Sequence, residues 1–235
     1  MRLDYFVYFR RFGMKFLVLS LLVLASSLPA VGMVMPTVYF GSEAESFGLG
    51  DWSWGNYANL PVYAVVLKFR ASGIEGVADG WFDTFCMELP EGLTHGIYYS
   101  ATLNSAANNG GVGGATNGLD PLDNRTAWLY NQYLDGALGI DSNAKAAALQ
   151  DAMWFIEQET STYRYGGTDE TSTHFYVNLA NTSMPSDYVN SNIKVLNLVD
   201  SENNRAQDII VRIPEPATMA LLGLGGLGLL RRKLA

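Results

Sequence analysis

One cysteine, two histidines and a shortage of cations through its middle distinguish this 235-residue chain. A lone Cys86 excludes any disulfide within the chain. Arg2, Arg10, Arg11, Lys15, Arg231, Arg232 and Lys233 gather around the two apolar ends. Between residues 33 and 213 eight Lys or Arg stand against 21 Asp or Glu, a balance of −13. Such a surface repels phosphate backbones, so nucleic acid is not an expected partner. No apolar run reaches the roughly 20 residues that cross a bilayer at ease. No internal repeat is visible, and "DPLDN" (residues 120–124) lacks the ligand spacing of an EF-hand, so a capped turn is expected there and no metal or cofactor. What is present, 49% hydrophobic and 16% charged residues, fits one globular domain with processing segments at its ends.

The amino end carries the layout of a secretory signal. "MKFLVLSLLVLASSLPAVG" (residues 14–32) has one cation, an apolar run over residues 16–25 and then small residues. Ala30 and Gly32 suit cleavage, with Ala25 and Ser27 as a second site. Residues 1–32 are therefore expected as a signal peptide whose true start is Met14, and a short membrane anchor is the competing reading.

At the other end, residues 217–230 are 14 residues of Ala, Leu, Met and Gly with a single Thr218, closed by Arg231, Arg232 and Lys233. Those cations would hold the tail on the cytoplasmic side. Pro214 and Pro216 break any helix arriving from the domain, so the apolar segment is a separate unit. Pro214-Glu215-Pro216, a short apolar helix and an arginine cluster, in that order, resemble the PEP-CTERM sorting signal of Gram-negative bacteria. The resemblance implies recognition by a membrane exosortase, a transient inner-membrane intermediate, removal of the tail and a final place at the cell surface or outside the cell. Residues 33–212 remain as the globular domain, with residues 213–235 as the signal.

Periodicity maps the domain. "YAVVLKF" (residues 63–69), "WFDTFCMEL" (81–89) and "HGIYYSATL" (95–103) read as strands, followed by an aperiodic Gly and Asn loop over 104–120. Asp123 or Asn124 caps a helix through residues 125–138 that Gly139 ends; Asp141 or Ser142 caps a second through residues 143–160. "HFYVNLA" (174–180), "IKVLNLV" (193–199) and "AQDIIVRI" (206–213) read as three closing strands. The expected fold is α+β, antiparallel strands of sandwich or barrel type flanking a two-helix segment.

Two short motifs then stand out. On the second helix Gln150, Met153 and Trp154 are neighbours at spacings of three and four, and a buried amide there needs a partner, since leaving it unpaired costs about 1–3 kcal/mol. "FCM" at Phe85-Cys86-Met87 and "LQDAMW" at residues 149–154 together resemble the signature pair of bacterial thioester domains, an aromatic-Cys-apolar strand and an apolar-Gln-x-x-apolar-Trp helix. The resemblance spans residues 85–159, with "TAWLYNQY" (126–133) similar to the intervening helix. The separation of Cys86 from Gln150 is shorter than in the best-known adhesins of that kind. It implies an internal bond between Cys86 and Gln150, with Trp154 as its cover. Such a bond would be attacked by an amine on another surface or matrix molecule, in a single-use reaction rather than enzymatic turnover.

Competing readings are a buried Cys with a hydrogen-bonded Gln in a noncovalent matrix- or polysaccharide-binding protein, and a cysteine hydrolase pairing Cys86 with His95. The other histidine, His174, suggests no role. Trp52, Trp54, Tyr57 and Trp81 are a candidate sugar-stacking platform or, more simply, core. Glu157 and Glu159 do not face each other on a helix and read as a solvated edge. The Asn124 and Asn181 glycosylation motifs mean little in a bacterium.

Overall fold

Strict alternation of apolar and polar side chains builds a sheet with one buried face. The computed structural model describes residues 35–41, 54–57, 60–63, 66–108 and 112–214. The expected signal peptide and the tail beyond Pro214 lie outside those residues. The strands are β1 (Thr37–Phe40), β2 (Trp54–Tyr57), β3 (Leu60–Tyr63), β4 (Leu67–Ser72), β5 (Gly80–Thr84), β6 (Ile97–Asn104), β7 (Ala106–Asn108), β8 (Leu119–Pro121), β9 (Ile193–Val199) and β10 (Ile209–Arg212). β4 buries Leu67, Phe69 and Ala71 while Arg70 is exposed, and β6 buries Tyr99 and Ala101 while Tyr98 and Ser100 are exposed. That period of two is what the pleat imposes.

Six strands form one antiparallel sheet in the order β10-β9-β6-β1-β4-β5. Two hairpin-like pairs, β2 with β3 and β7 with β8, stand apart from it. The sheet curls until its two ends meet. Beyond β5, the Ile210 N–H donates to the Phe85 carbonyl (3.3 Å), the Met87 N–H donates to the Asp208 carbonyl (2.9 Å), and Cys86 sits opposite Ile209. The Thr84 hydroxyl adds a bond to the Ile210 carbonyl at 2.5 Å. A nearly closed barrel results, with its edges satisfied instead of left open to other chains.

Among the described residues three helices cover one side: α1 (Asn124–Leu134), α2 (Asn143–Ile156) and α3 (Thr173–Ser183). Each begins at a polar cap, Asp123, Ser142 and Ser172 respectively, whose side chain accepts a first-turn N–H. α2 is buried without a break over residues 146–154, as befits a helix with no solvent face. Its Ala147 and Trp154 join the barrel's interior cluster, with Val38, Phe69, Cys86, Leu196 and Ile209. Its Leu149 and Met153 join the cluster beneath α1 and α3, with Phe85, Met87, Leu129, Tyr130 and Tyr176. Each such large side chain contributes about 1.5–3 kcal/mol on burial. α2 is thus the rivet between barrel and helical layer.

The α+β class and barrel-like antiparallel sheet agree with the sequence reading, while several elements differ in detail. The loop expected over 104–120 holds β7, the second helix ends at Ile156 instead of running to residue 160, and the last strand begins at Ile209 instead of residue 206. "HFYVNLA" is helix, not strand: the Ser172 hydroxyl accepts from the Phe175 N–H (3.2 Å), and buried Tyr176, Val177 and Ala180 recur at helical spacing. The helical layer therefore has three members instead of two. α1 stops at Leu134, before Gly139, because Gly136 takes φ +73° and turns the chain. The strand expected at 81–89 ends at Thr84, and the one expected at 63–69 is split between β3 and β4.

α2 closes with reciprocal bonds from the Glu159 N–H to the Trp154 carbonyl (2.8 Å) and from the Gln158 N–H to the Phe155 carbonyl (3.2 Å). This is a Schellman turn, whose left-handed residue is normally glycine. Here Gln158 holds φ +66°. Replacement Gln158→Gly should relieve that strain and raise stability by about 0.5–1 kcal/mol in urea unfolding; an unchanged or lower midpoint would show that the glutamine side chain compensates.

Candidate functional site at the barrel seam

The seam of the barrel determines which backbone groups of Cys86 need a partner. In an antiparallel pair the residues either side of a non-hydrogen-bonded position carry the ladder bonds, and the residue between directs its own N–H and C=O the other way. Phe85 and Met87 carry the bonds to β10, so the peptide groups of Cys86 face away from it. There Gln150 meets both: the Cys86 N–H donates to Gln150 Oε1 at 2.8 Å, and Gln150 Nε2 donates to the Cys86 carbonyl at 2.9 Å. The carboxamide stands in for a neighbouring strand. Gln150 is fully buried and Cys86 is 8% exposed.

Alternation along the seam sorts the side chains. Phe85 and Met87 enter the helical layer, and Cys86 enters the barrel's interior cluster, which also holds Trp154. Trp154 lies one turn beyond Gln150, is 1% exposed, and its indole N–H has no hydrogen-bond partner. The structure thus brings Gln150 onto Cys86 and puts Trp154 in the same buried cluster. Burial raises the Cys86 thiol far above its ordinary pKa, with a smaller push from the charge of Glu88. The sulfur is a neutral, protected thiol at neutral pH.

His95 sets its ring edge-on to Phe40, 5.3 Å between centroids, and His174 sits edge-on to Tyr163 at 5.7 Å. Neither ring contact is to Cys86. Trp81, half-buried, meets Tyr39 edge-on at 6.2 Å, and Tyr39 tilts against Tyr98 at 4.8 Å. Trp54 and Tyr57 lie in β2, while Trp52 falls outside the described residues. Among the described residues no group of three or more His, Cys, Asp or Glu is arranged to hold a metal ion. "DPLDN" supplies the helix cap, with Asp123 accepting from the Arg125 N–H at 2.7 Å.

Glu157 and Glu159 correct the sequence reading. Both are buried, because the Schellman turn at Gln158 directs the chain inward instead of along the surface. The Glu159 carboxylate accepts from the backbone N–H groups of Leu89 (2.8 Å), Val112 (2.9 and 3.0 Å) and Gly113 (3.3 Å). It fastens the Gly-rich loop to the segment just after Cys86. A β-carbon on Gly113 would lie 2.5 Å from the Gln158 carbonyl oxygen, which explains that glycine. On the other flank Asp208 accepts from the N–H groups of Asn108 (2.6 Å) and Leu198 (3.1 Å) and from Asn197 Nδ2 (2.7 Å), while its own carbonyl holds Met87. The only sequence signal for these clamps was arithmetic: too few cations exist to partner the carboxylates.

Pro214, the first residue of the sorting triplet, is exposed. The Ile213 N–H bond to the Asn192 carbonyl (2.7 Å) is the last described tie before it. Glu215, Pro216, Arg231 and Arg232 lie outside the described residues. So does the apolar segment 217–230; among the described residues no helix is long and apolar enough to cross a membrane.

Burial raises Glu157 from 4.5 to about 8 and, more modestly, Asp208 and Asp120 from 3.8 to about 6 each, the last also feeling Glu159. A raised carboxyl pKa in the folded state means that the fold binds the proton more tightly. Its contribution is fully present below the unfolded value and is lost as pH rises, for Glu157 between about 4.5 and 8. Glu157→Gln should therefore match the parent near pH 5 and exceed it by about 1–3 kcal/mol at pH 9. Urea midpoints at the two pH values check this, and a gap independent of pH would contradict it.

Comparison with known proteins identifies one segment. Residues 212–233 match the PEP-CTERM protein-sorting motif. No curated protein and no solved structure matches the chain. The motif supports an exported protein, sorted by exosortase to the cell surface or the extracellular space.

Proposed function

We propose that the exported domain condenses Cys86 with Gln150 into an internal thioester and spends it once, on an amine of a surface or matrix molecule. The observation that carries this reading is the carboxamide of Gln150, held against Cys86 by two buried hydrogen bonds. The Cys86 N–H already donates to Oε1, the atom on which negative charge would develop during attack, and a donor fixed there in advance acts as an oxyanion site does. The pair is buried, which opposes hydrolysis of the product.

The chemistry balances without an added reagent. A bond forms between Sγ of Cys86 and Cδ of Gln150, the bond from Cδ to Nε2 breaks, and the thiol proton leaves with the nitrogen as ammonia. In the second step the nitrogen of an incoming amine bonds to Cδ, the sulfur departs, and a proton from the amine restores the thiol. The product is an isopeptide-type crosslink to Gln150. Because the raised thiol pKa leaves little thiolate, the proton must move as the sulfur attacks, and formation is slow and intrinsic to folding. Nothing in this scheme turns over, so the domain is an attachment device and not an enzyme.

A second reading rests on the same bonds. They complete the backbone pairing of Cys86, so the carboxamide is satisfied with no covalent chemistry at all, and the protein then associates noncovalently with matrix or polysaccharide. Intact mass of the purified full-length chain separates the two. The thioester form is lighter by one ammonia, gains methylamine at Gln150, and loses both properties in Cys86→Ala. Full mass and no methylamine uptake in the parent protein would end the covalent reading.

A further inference from the structure

The loop after α2 returns across Trp154 and is anchored by the residue next to Gln150. Asp151 is fully buried, and its Oδ2 accepts from the Arg164 backbone N–H (2.8 Å) and the Thr173 hydroxyl (2.5 Å). Oδ1 lies 3.9 Å from Arg164 Nε. So fixed, the Arg164 guanidinium lies over the Trp154 indole, 5.6 Å from the ring centroid, with its side chain 18% exposed. Both Arg164 Nη atoms are buried, the indole beneath them is 1% exposed, and Trp154 shares the interior cluster that contains Cys86. A guanidinium over an indole face stabilises the ring's position by cation–π attraction and planar stacking. Its attachment to Asp151 couples that position to the turn of helix carrying Gln150.

We infer that Arg164, braced by Asp151, is a positioning residue that holds Trp154 closed over the Cys86–Gln150 pair and so sets the rate at which small molecules reach it. It touches no reacting atom. The inference rests on the thioester reading where the pair is bonded, and on the packing alone where the thiol is free.

The test uses the full chain and two clocks chosen by its intact mass. If the protein lacks one ammonia, the rate of methylamine uptake at Gln150 is followed; if it has full mass, the rate of Cys86 alkylation by iodoacetamide is followed. Arg164→Ala should accelerate whichever clock runs by about tenfold. Arg164→Met, which keeps the stem and drops the charge, should accelerate it less, and Arg164→Lys should restore most of the parent rate. Unfolding midpoints are measured alongside, and Arg164→Met serves if the alanine variant does not fold. Parent-like rates in the alanine and methionine variants, or acceleration in Arg164→Lys equal to that in Arg164→Ala, overturn the inference. Acceleration on the alkylation clock upholds the role of Arg164 while sinking the thioester, so the two failures are distinguishable.

Discussion

Two peptide groups of a single residue constrain the whole domain. Closing the sheet commits Phe85 and Met87 to β10, and Cys86 between them is left with a donor and an acceptor facing the helical layer. An unmet pair in that interior would cost about 1–3 kcal/mol for each group, a large share of the stability of any domain. Only a side chain with one donor and one acceptor at the right spacing fits, and Gln150 is that side chain. The match fixes the register of α2 against the barrel. It also determines which residues lie one turn on, so that Trp154 enters the interior cluster and Asp151 meets the returning loop.

Fastening elsewhere follows from the charge imbalance. With one cysteine the chain has no internal disulfide, and with few cations the described residues form few ion pairs, yet a domain of this size buries enough surface to fold without either. Carboxylates take over the stapling. Glu159 and Asp208 each gather backbone N–H groups from separate segments on the two sides of residues 85–87. Charge-assisted bonds of this kind are about twice as strong as neutral ones. At Asp208 this also ties the fold to pH, since burial opposes the charged form.

Local pattern made much of this legible. Alternation in β4 and β6 and the caps of α1 and α2 are short-range signals that the structure respects. α3 misled because aromatic and β-branched residues suit strands, whereas Ser172 and the burial of Tyr176 and Ala180 decide for helix. For Glu157 and Glu159 the shortage of cations was the one sequence signal, and it did not say where the two carboxylates would go. Their fate depends on Gln158 adopting a left-handed conformation, which composition opposes and tertiary contact with the Gly113 loop enforces. The pairing of Cys86 with Gln150 lies between these cases: residue types and order pointed to it, while the reason that it must occur, the sheet closure at Ile209, spans 123 residues of chain and has no local trace.

Protection and reactivity oppose each other at this seam. A thiol exposed enough to be a ready nucleophile would be oxidised outside the cell, and one buried deeply enough to survive is a poor nucleophile. Prepositioning the electrophile resolves the conflict on the proposed reading, because a carboxamide already bonded to the cysteine backbone makes attack intramolecular and offsets the missing thiolate. The second step faces the converse problem, since the same cover must admit an amine while excluding water. Trp154 itself belongs to the packed interior cluster, so admitting an amine requires the indole to leave that cluster, and the contacts that hold it there, the Arg164 guanidinium among them, then govern the lifetime of the bond.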